Sequence, residues 1–157
     1  MDRVSKVSRS VIMSRIRGSG NKRTEKNLAD LLHKSKIIGW RRHQTIHFDS
    51  KRLRNVMASD GTVFKSRVRP DFSFPKLKIA LFIDGCFWHG CTKCYREPKS
   101  RKKFWSGKIH RNIERDRFQV RQLKRHGWTV IRIRECDLQK RPMSCIRRIS
   151  RCLNPKK

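Results

Sequence analysis

Acidic residues are scarce in this sequence, and long apolar runs are missing from it. Only 12 of its 157 residues are Asp or Glu, against 42 Lys and Arg, so the formal net charge is +30. So much charge of one sign in one domain destabilises the folded state unless a polyanion binds to it, and nucleic acid is therefore the first partner to expect. A basic intracellular protein of another kind and a binder of membrane surfaces are the alternatives.

No apolar stretch approaches the roughly 20 residues that a membrane-spanning helix needs, so no membrane span is expected. No apolar segment of the signal-peptide type follows Met1, and we expect a reducing intracellular compartment, in the cytoplasm or on the nucleoid. The segment at 3–17 is rich in Arg and Ser and poor in acids, so import into an organelle stays open as an alternative.

The length favours a single domain preceded by a basic arm. We place the arm at residues 1–23 and a single domain at 24–157, with a polar, unpatterned insertion at about 47–68. Apolar spacing predicts helices at about 25–36, 101–125 and 143–153, and strands at about 40–48, 70–74, 79–83 and 128–133. This order of elements predicts an α/β fold with a mixed central sheet flanked by helices.

Cysteines cluster directly after the most apolar strand. Cys86, Cys91 and Cys94 lie on one predicted loop, and in a reducing compartment such a group indicates metal ligands better than disulfides. Cys136 follows the strand at 128–133 and is the fourth ligand that we favour. The alternatives are the two cysteines at 145 and 152, which share one face of a predicted helix, as core residues do. Four thiolates describe a closed structural zinc site.

Oxygen ligands are expected at the end of the same strand. Hydrolysis of a phosphodiester requires a metal ion beside the phosphoryl oxygens and a base that activates water. A hairpin between 70–74 and 79–83 brings Asp71 close to Ile83, so the Asp71 carboxylate and the Ile83 carbonyl are candidate Mg²⁺ ligands. His89, inside the cysteine loop, is a candidate base. It is alternatively a further zinc ligand or a surface histidine.

Two consecutive large aromatics, Phe87 and Trp88, stand on the cysteine loop. One interpretation is that they cover the zinc site. The other is that they insert between DNA bases, as apolar wedges of DNA-distorting proteins do. The residues alone favour neither interpretation.

Taken together, several segments resemble the very-short-patch repair (Vsr-type) mismatch endonucleases. The most specific are DGCFWHGC, which begins at Asp84, and the later NIERDR, which begins at Asn112. The resemblance extends over most of the chain through RSVIMSRIRG at 9–18, Thr24-Glu25, RPDF at 69–72, Phe104-Trp105 and GWTVIRIREC at 127–136.

The resemblance implies a restriction-endonuclease-like α/β core with structural zinc on Cys86, Cys91, Cys94 and Cys136. It implies that Asp71 and the Ile83 carbonyl bind the catalytic Mg²⁺ and that His89 activates water. Glu25 and Asp116 enter only through the resemblance, as residues that hold metal-bound waters or orient the base. Asp84 stands where some relatives carry histidine and adds a carboxylate to the site.

Recognition of DNA is implied as well. Phe87 and Trp88, with Met13 of the arm, would wedge into DNA beside a mismatch. The implied activity is that of a monomeric, Mg²⁺-dependent endonuclease that nicks double-stranded DNA 5′ to the T of a T:G mismatch. The long insertion and the high charge indicate a longer DNA footprint than is usual in the family.

Two other functions remain as alternatives. A site-specific or homing-type nuclease would use a similar set of residues on intact duplex. A zinc-containing DNA-binding module without catalysis is the second, and the four residues Glu25, Asp71, His89 and Asp116 argue against it, because a pure binder has no use for carboxylates near phosphate.

Overall fold

The computed structural model describes residues 22–48 and 67–154. Most of the predicted arm, with Met13, and residues 49–66 of the predicted insertion lie outside the described residues. The helices are a π-helical turn at Lys22–Lys26 that leads into α1 (Asn27–Lys34), then α2 (Lys102–Arg125), α3 (Glu135–Lys140) and α4 (Pro142–Leu153). The strands are β1 (Arg41–Arg42), β2 (Ile46–His47), β3 (Arg67–Val68), β4 (Phe72–Phe74), β5 (Ile79–Asp84) and β6 (Thr129–Arg134).

The central sheet has four strands in the order β1-β4-β5-β6. β4 is antiparallel to both β1 and β5, while β6 runs parallel to β5. β2 and β3 pair antiparallel in a separate two-stranded sheet. The predicted mixed α/β fold, with a mixed central sheet flanked by helices, is therefore confirmed.

The side chains of β5 alternate between two cores because successive residues of a strand point to opposite faces. The odd-numbered positions pack with α1 and α4 in the larger core. Ala80 and Phe82 face the other way and pack with Leu123 of α2 and with the small sheet. The same alternation continues to Asp84, whose carboxylate is therefore delivered to the side of the sheet that α2 covers.

The prediction of one strand over 40–48 is wrong. β1 and β2 lie in different sheets, and the chain between them adopts a left-handed backbone at His43, with φ of 51°. A residue other than glycine takes this conformation at a cost, and a single one is enough to redirect an extended chain. The predicted first helix is also shorter, since its α-helical part covers only Asn27–Lys34.

Helix α3 is absent from the sequence-based prediction. Its six residues follow β6 directly, and only Leu138 among them is buried. So short a segment carries no apolar periodicity to detect. No helix in the described parts of the chain is long and apolar enough to cross a bilayer.

Candidate active site and metal centres

Three clusters of polar side chains meet where β5 ends. One is the set of four cysteines, the second surrounds Asp71, and the third surrounds His89. They lie together because β5 leads into the cysteine loop, because β4 pairs beside β5, and because α2 crosses the face to which Asp84 points.

The four sulfur atoms of Cys86, Cys91, Cys94 and Cys136 lie within 4.8 Å of one another. The Cys91 and Cys136 sulfurs are 3.8 Å apart, which is the separation of about 3.8 Å that tetrahedral ligands at about 2.3 Å from a zinc ion would have. The donor set therefore fits a structural zinc ion. The alternative fourth ligand, Cys145, is buried in the larger core instead.

Backbone amides stabilise the thiolate form of Cys91. Burial by itself raises the pKa of Cys91, but the N–H groups of Lys93 and Cys94, together with the neighbouring thiols, lower it to about 6. The pKa of Cys86 is raised, mainly by burial and by its hydrogen bond with Cys94. One thiolate is thus available near neutral pH, while the others release their protons when a metal ion binds.

The cysteine loop packs closely on α2 at Gly90. This residue has φ of +56°, and a Cβ atom there would stand 3.4 Å from Ile109 and 3.5 Å from Ile113 of the helix. The left-handed backbone therefore favours glycine, while the contact with α2 is an ordinary van der Waals one. Asn112 of α2 adds a hydrogen bond of 3.1 Å to the Trp88 carbonyl.

The second cluster consists of Glu25, His43 and Asp71, whose potential ligand atoms all lie within 4.8 Å of one another. His43 Nε2 and a guanidinium nitrogen of Arg42 each lie 2.9 Å from Glu25 Oε2. Asp71 Oδ2 accepts a hydrogen bond of 2.7 Å from the Ile83 N–H. Two carboxylates and an imidazole at this spacing fit a divalent cation.

Electrostatics support a cation at this position. The pKa of Asp71 is raised, chiefly by burial and also by the negative charge of Glu25, although the Ile83 N–H and His43 act in the opposite direction. Asp84 raises it a little further. Burial and the nearby Glu25 thus disfavour the charged form of Asp71, and a bound cation would stabilise that form.

The third cluster joins His89 to two carboxylates and an arginine. His89 Nδ1 lies 2.5 Å from Asp116 Oδ2. Arg132 donates hydrogen bonds of 2.8 and 2.5 Å to the two oxygens of Asp84 and one of 2.9 Å to Asp116 Oδ2. These four residues therefore form one continuous network at the end of β5.

Asp116 is ionised in this network. Burial by itself raises its pKa, but the hydrogen bond with His89 and the charges of Arg132 and His89 outweigh burial and hold the pKa below the ordinary value. An ionised Asp116 accepts a hydrogen bond from the Nδ1–H of His89. In the neutral ring the proton therefore lies on Nδ1, and Nε2 is the basic nitrogen.

A cleft of about 400 Å³ opens beside this network. His89, Asp84 and Asp116 line it, and so do parts of the apolar face of α2. Besides Arg132, which is paired with the two carboxylates, three further arginines line the cleft and offer guanidinium donors to an anion: Arg117, Arg121 and Arg134. Guanidinium groups suit phosphate oxygens, so the cleft is chemically matched to a nucleic-acid backbone.

The paired aromatics of the loop belong to a half-buried aromatic cluster. The rings of Phe87 and Trp88 are 5.1 Å apart, and Phe87 lies 5.3 Å from Trp105 of α2. The Lys108 ammonium is 5.2 Å from the Trp88 ring centre. The two aromatics thus pack over the start of α2 and present an apolar surface beside a positive charge.

The structure brings together all of the predicted site residues that it describes. It also adds two that the sequence did not reveal, His43 and Arg132. His43 belongs to no recognisable motif, and Arg132 lies in the GWTVIRIREC segment at 127–136, where the sequence indicated no role for it. Their partners are distant, with Arg132 and Asp84 separated by 48 positions. In the alternating Ile-Arg-Ile-Arg of β6, Arg132 has the pattern of an ordinary solvent-facing residue.

Comparisons with known proteins identify relatives of this chain. The family model described as DNA mismatch endonuclease Vsr matches residues 41–96, which include β1 to β5 and three of the four cysteines. The type II nicking enzyme V.NaeI of Lentzea aerocolonigenes is 46% identical over 69 residues, which are 44% of this chain and 42% of that protein. The DNA mismatch endonuclease Vsr of Escherichia coli (strain K12) is 37% identical over 98 residues, 58% of this chain and 62% of that protein.

A longer alignment is found with the type II nicking enzyme V.XorIIP of Xanthomonas oryzae pv. oryzae, which is 37% identical over 138 residues. Those residues are 87% of this chain and 86% of that protein, whereas the chain spans less than two thirds of the two relatives above. This last alignment covers most of both chains and identifies the family. The chain belongs to the Vsr family of DNA mismatch endonucleases.

Proposed function

We propose that the chain is a divalent-metal-dependent endonuclease that nicks one strand of duplex DNA 5′ to the T of a T:G mismatch, with Mg²⁺ as the expected cation and a restriction-endonuclease-like core. The observation that carries the proposal is that His89 Nδ1 lies 2.5 Å from Asp116 Oδ2, at the end of β5 where Asp71 also lies. A base and a carboxylate site for a cation are the two parts that phosphodiester hydrolysis requires.

Asp71 and Ile83 are the proposed cation ligands. Asp71 Oδ2 accepts a hydrogen bond from the Ile83 N–H, so the other carboxylate oxygen of Asp71 is the candidate ligand. The N–H and C=O of one strand residue leave the strand on the same side, which directs the Ile83 carbonyl toward Asp71 as well. When bound, the cation supplies positive charge to the scissile phosphate.

His89 is the proposed general base. Its Nδ1–H donates to Asp116, so Nε2 is free to take a proton from the attacking water. Asp116 orients the ring and stabilises the imidazolium that forms. Arg132 in turn fixes Asp116 and Asp84, and the arginines of the cleft hold the DNA backbone.

Zinc on the four cysteines is proposed to be structural. It would fix the loop that carries Phe87, Trp88 and His89, because the loop begins and ends at ligands. The two aromatics are proposed to insert beside the mismatch, together with Met13, which lies outside the described residues. Glu25 is proposed to act at the cation site, by direct coordination or by holding its waters, and the contact with His43 supports that role.

The test is strand cleavage with Mg²⁺ at moderate salt on two duplexes that differ only in one T:G or T:A pair. We expect nicking of the T:G duplex, and a fall of about 10²-fold or more in His89→Ala with DNA binding retained. His110→Ala is the matched control, since His110 is an exposed histidine of α2.

Each other result has a defined meaning. Equal cutting of both duplexes, or cutting only of a long natural site, would replace mismatch repair by a site-specific or homing-type nuclease. Binding without cleavage on every DNA would replace the enzyme by a DNA-binding module. Full cleavage by His89→Ala would remove His89 from the mechanism.

A further inference from the structure

His43 has a position that the proposed mechanism does not use. It is half-buried, and its Nε2 lies 2.9 Å from Glu25 Oε2. Its own backbone N–H donates a hydrogen bond of 3.1 Å to the Asp71 carbonyl. One residue thus contacts the elements that carry both carboxylates of the proposed cation site.

The geometry of the three side chains suits coordination. Two neighbouring ligands of an octahedral cation, each at about 2.1 Å, stand about 3.0 Å apart. The 2.9 Å between His43 Nε2 and Glu25 Oε2 agrees with that spacing, and the Asp71 carboxylate completes a triangle within 4.8 Å. The same 2.9 Å also suits a plain ion pair, so a second observation is needed.

The third donor supplies that observation. Glu25, His43 and Asp71 stand on three different segments of the chain, yet their potential ligand atoms all lie within 4.8 Å of one another. Arg42 already provides a cation for Glu25 from an ordinary strand position. An ion pair with Glu25 therefore needs neither His43 nor the nearby Asp71 carboxylate, whereas a cation site needs all three donors at one point.

We propose that His43 is a third protein ligand of this cation site, beside Glu25 and Asp71, and that its imidazole makes the site bind Mn²⁺ more tightly than Mg²⁺. Mg²⁺ prefers oxygen ligands, while first-row transition ions gain affinity from an imidazole nitrogen. The inference rests on the proposed function, because it concerns the same site, and it names the cation that this site selects.

The test is a titration of the full-length, zinc-loaded chain with Mn²⁺, followed by electron paramagnetic resonance, with Mg²⁺ as competitor. His43→Asn is the test variant, because Asn tolerates the left-handed backbone and replaces the ring nitrogen by an amide oxygen. His110→Asn is the matched control on the exposed face of α2. Asp71→Asn should lower the affinity of the site for both Mn²⁺ and Mg²⁺.

We expect the wild type to bind Mn²⁺ at least about tenfold more tightly than Mg²⁺, and His43→Asn to reduce the ratio to about threefold or less. Pulsed measurements should show a nitrogen nucleus coupled to Mn²⁺ in the wild type and in His110→Asn, but not in His43→Asn. A purely structural His43 would leave that coupling absent in every variant.

An unchanged ratio in His43→Asn, a missing nitrogen coupling, or no Mn²⁺ binding with or without duplex DNA would overturn the inference. A chain that nicks DNA yet gives one of these results refutes the Mn²⁺ site alone. A chain that binds Mn²⁺ through His43 and cuts no DNA refutes the proposed function and retains the site.

Discussion

Arg132 holds both carboxylate oxygens of Asp84, with Nε at 2.8 Å and a terminal nitrogen at 2.5 Å. The two side chains are 23% and 13% exposed, so the pair lies mostly out of water. The pKa of Arg132 is raised, because its contacts with Asp84 and Asp116 outweigh the opposing effect of burial. This single guanidinium neutralises two carboxylates beside the proposed base.

Removing that guanidinium should destabilise the protein. Arg132→Met keeps the length of the stem but leaves Asp84 and Asp116 without their cation, and the expected loss is about 3 kcal/mol in the free energy of unfolding. Urea unfolding measures it. The double variant with Asp84→Asn should recover part of the loss, and a double variant that is less stable than Arg132→Met would contradict the charge argument.

The orientation of His89 depends on Asp116. Asp116→Asn keeps the shape but offers an amide that can donate to Nδ1, so the ring proton moves to Nε2 and the base is lost. Single-turnover cleavage should fall on the order of 10³-fold with little change in DNA affinity. Asp137→Asn is the control, since Asp137 pairs with two surface cations, Lys93 and Arg141. Equal cleavage by both variants would exclude this role.

The ionised Asp71 carboxylate, which is proposed to bind the cation, should destabilise the folded protein when no cation is bound. A carboxyl group whose pKa is raised in the folded state, as that of Asp71 is by burial, destabilises the fold while it is charged. Asp71→Asn should therefore raise the Tm at pH 7 in Mg²⁺-free buffer and abolish cleavage.

The sign of the pH dependence follows from the same shift. As the pH falls from 7 through the raised pKa of Asp71 towards its ordinary value of 3.8, the wild type protonates this carboxyl and regains stability. The Tm difference between Asp71→Asn and the wild type should shrink accordingly. Asp116→Asn, whose carboxyl has a lowered pKa, should lower the Tm at pH 7, and a rise there would contradict the electrostatic account.

The proposed zinc centre predicts a difference between cysteines. Cys86→Ser should release zinc and lower the Tm, because the loop then loses a ligand. Cys152→Ser is the matched control, since Cys152 packs at the edge of the larger core and should keep the metal. Zinc content by mass spectrometry and thermal melts measure both. A metal-free wild type with a normal melt would refute the centre.

The aromatic cluster predicts a specific loss of discrimination. Trp88→Ala removes a ring that packs against Phe87 and lies near Lys108, and it should weaken the preference for T:G over T:A more than general affinity. Competition binding with the two duplexes measures this. Equal loss on both would favour the interpretation that Trp88 only covers the zinc loop.

The fold was predictable where apolar patterns are strong. β5, β6 and α2 were expected close to their observed bounds, because each carries an apolar run or a helical stripe. The prediction of one strand over 40–48 was wrong, because the backbone turn at His43 contains no glycine or proline that would have indicated a turn. α3 was missed because six residues are too few for a period.

The site residues likewise divide into those that the sequence pattern predicted and those that it did not. Three of the four cysteines were found because their spacing is local, and Cys136 because it follows the neighbouring predicted strand. Glu25 and Asp116 entered only by resemblance. In the sequence, Glu25 looks like a residue that suits the helix dipole, and Asp116 looks like half of an ordinary surface pair. His43 and Arg132 act through contacts that depend on which strands become neighbours, and that arrangement exists only in the folded chain.

Helix α2 carries Trp105 beneath the aromatic cluster and Asp116 beneath His89. These two residues are separated by about 17 Å along one rigid axis, at 1.5 Å per residue. A single inserted alanine between them would turn one end by about 100° relative to the other. Under the proposed function, the distance between the base step where DNA opens and the bond that is cut therefore depends on the pitch of one helix, which supports both ends of the zinc-held loop.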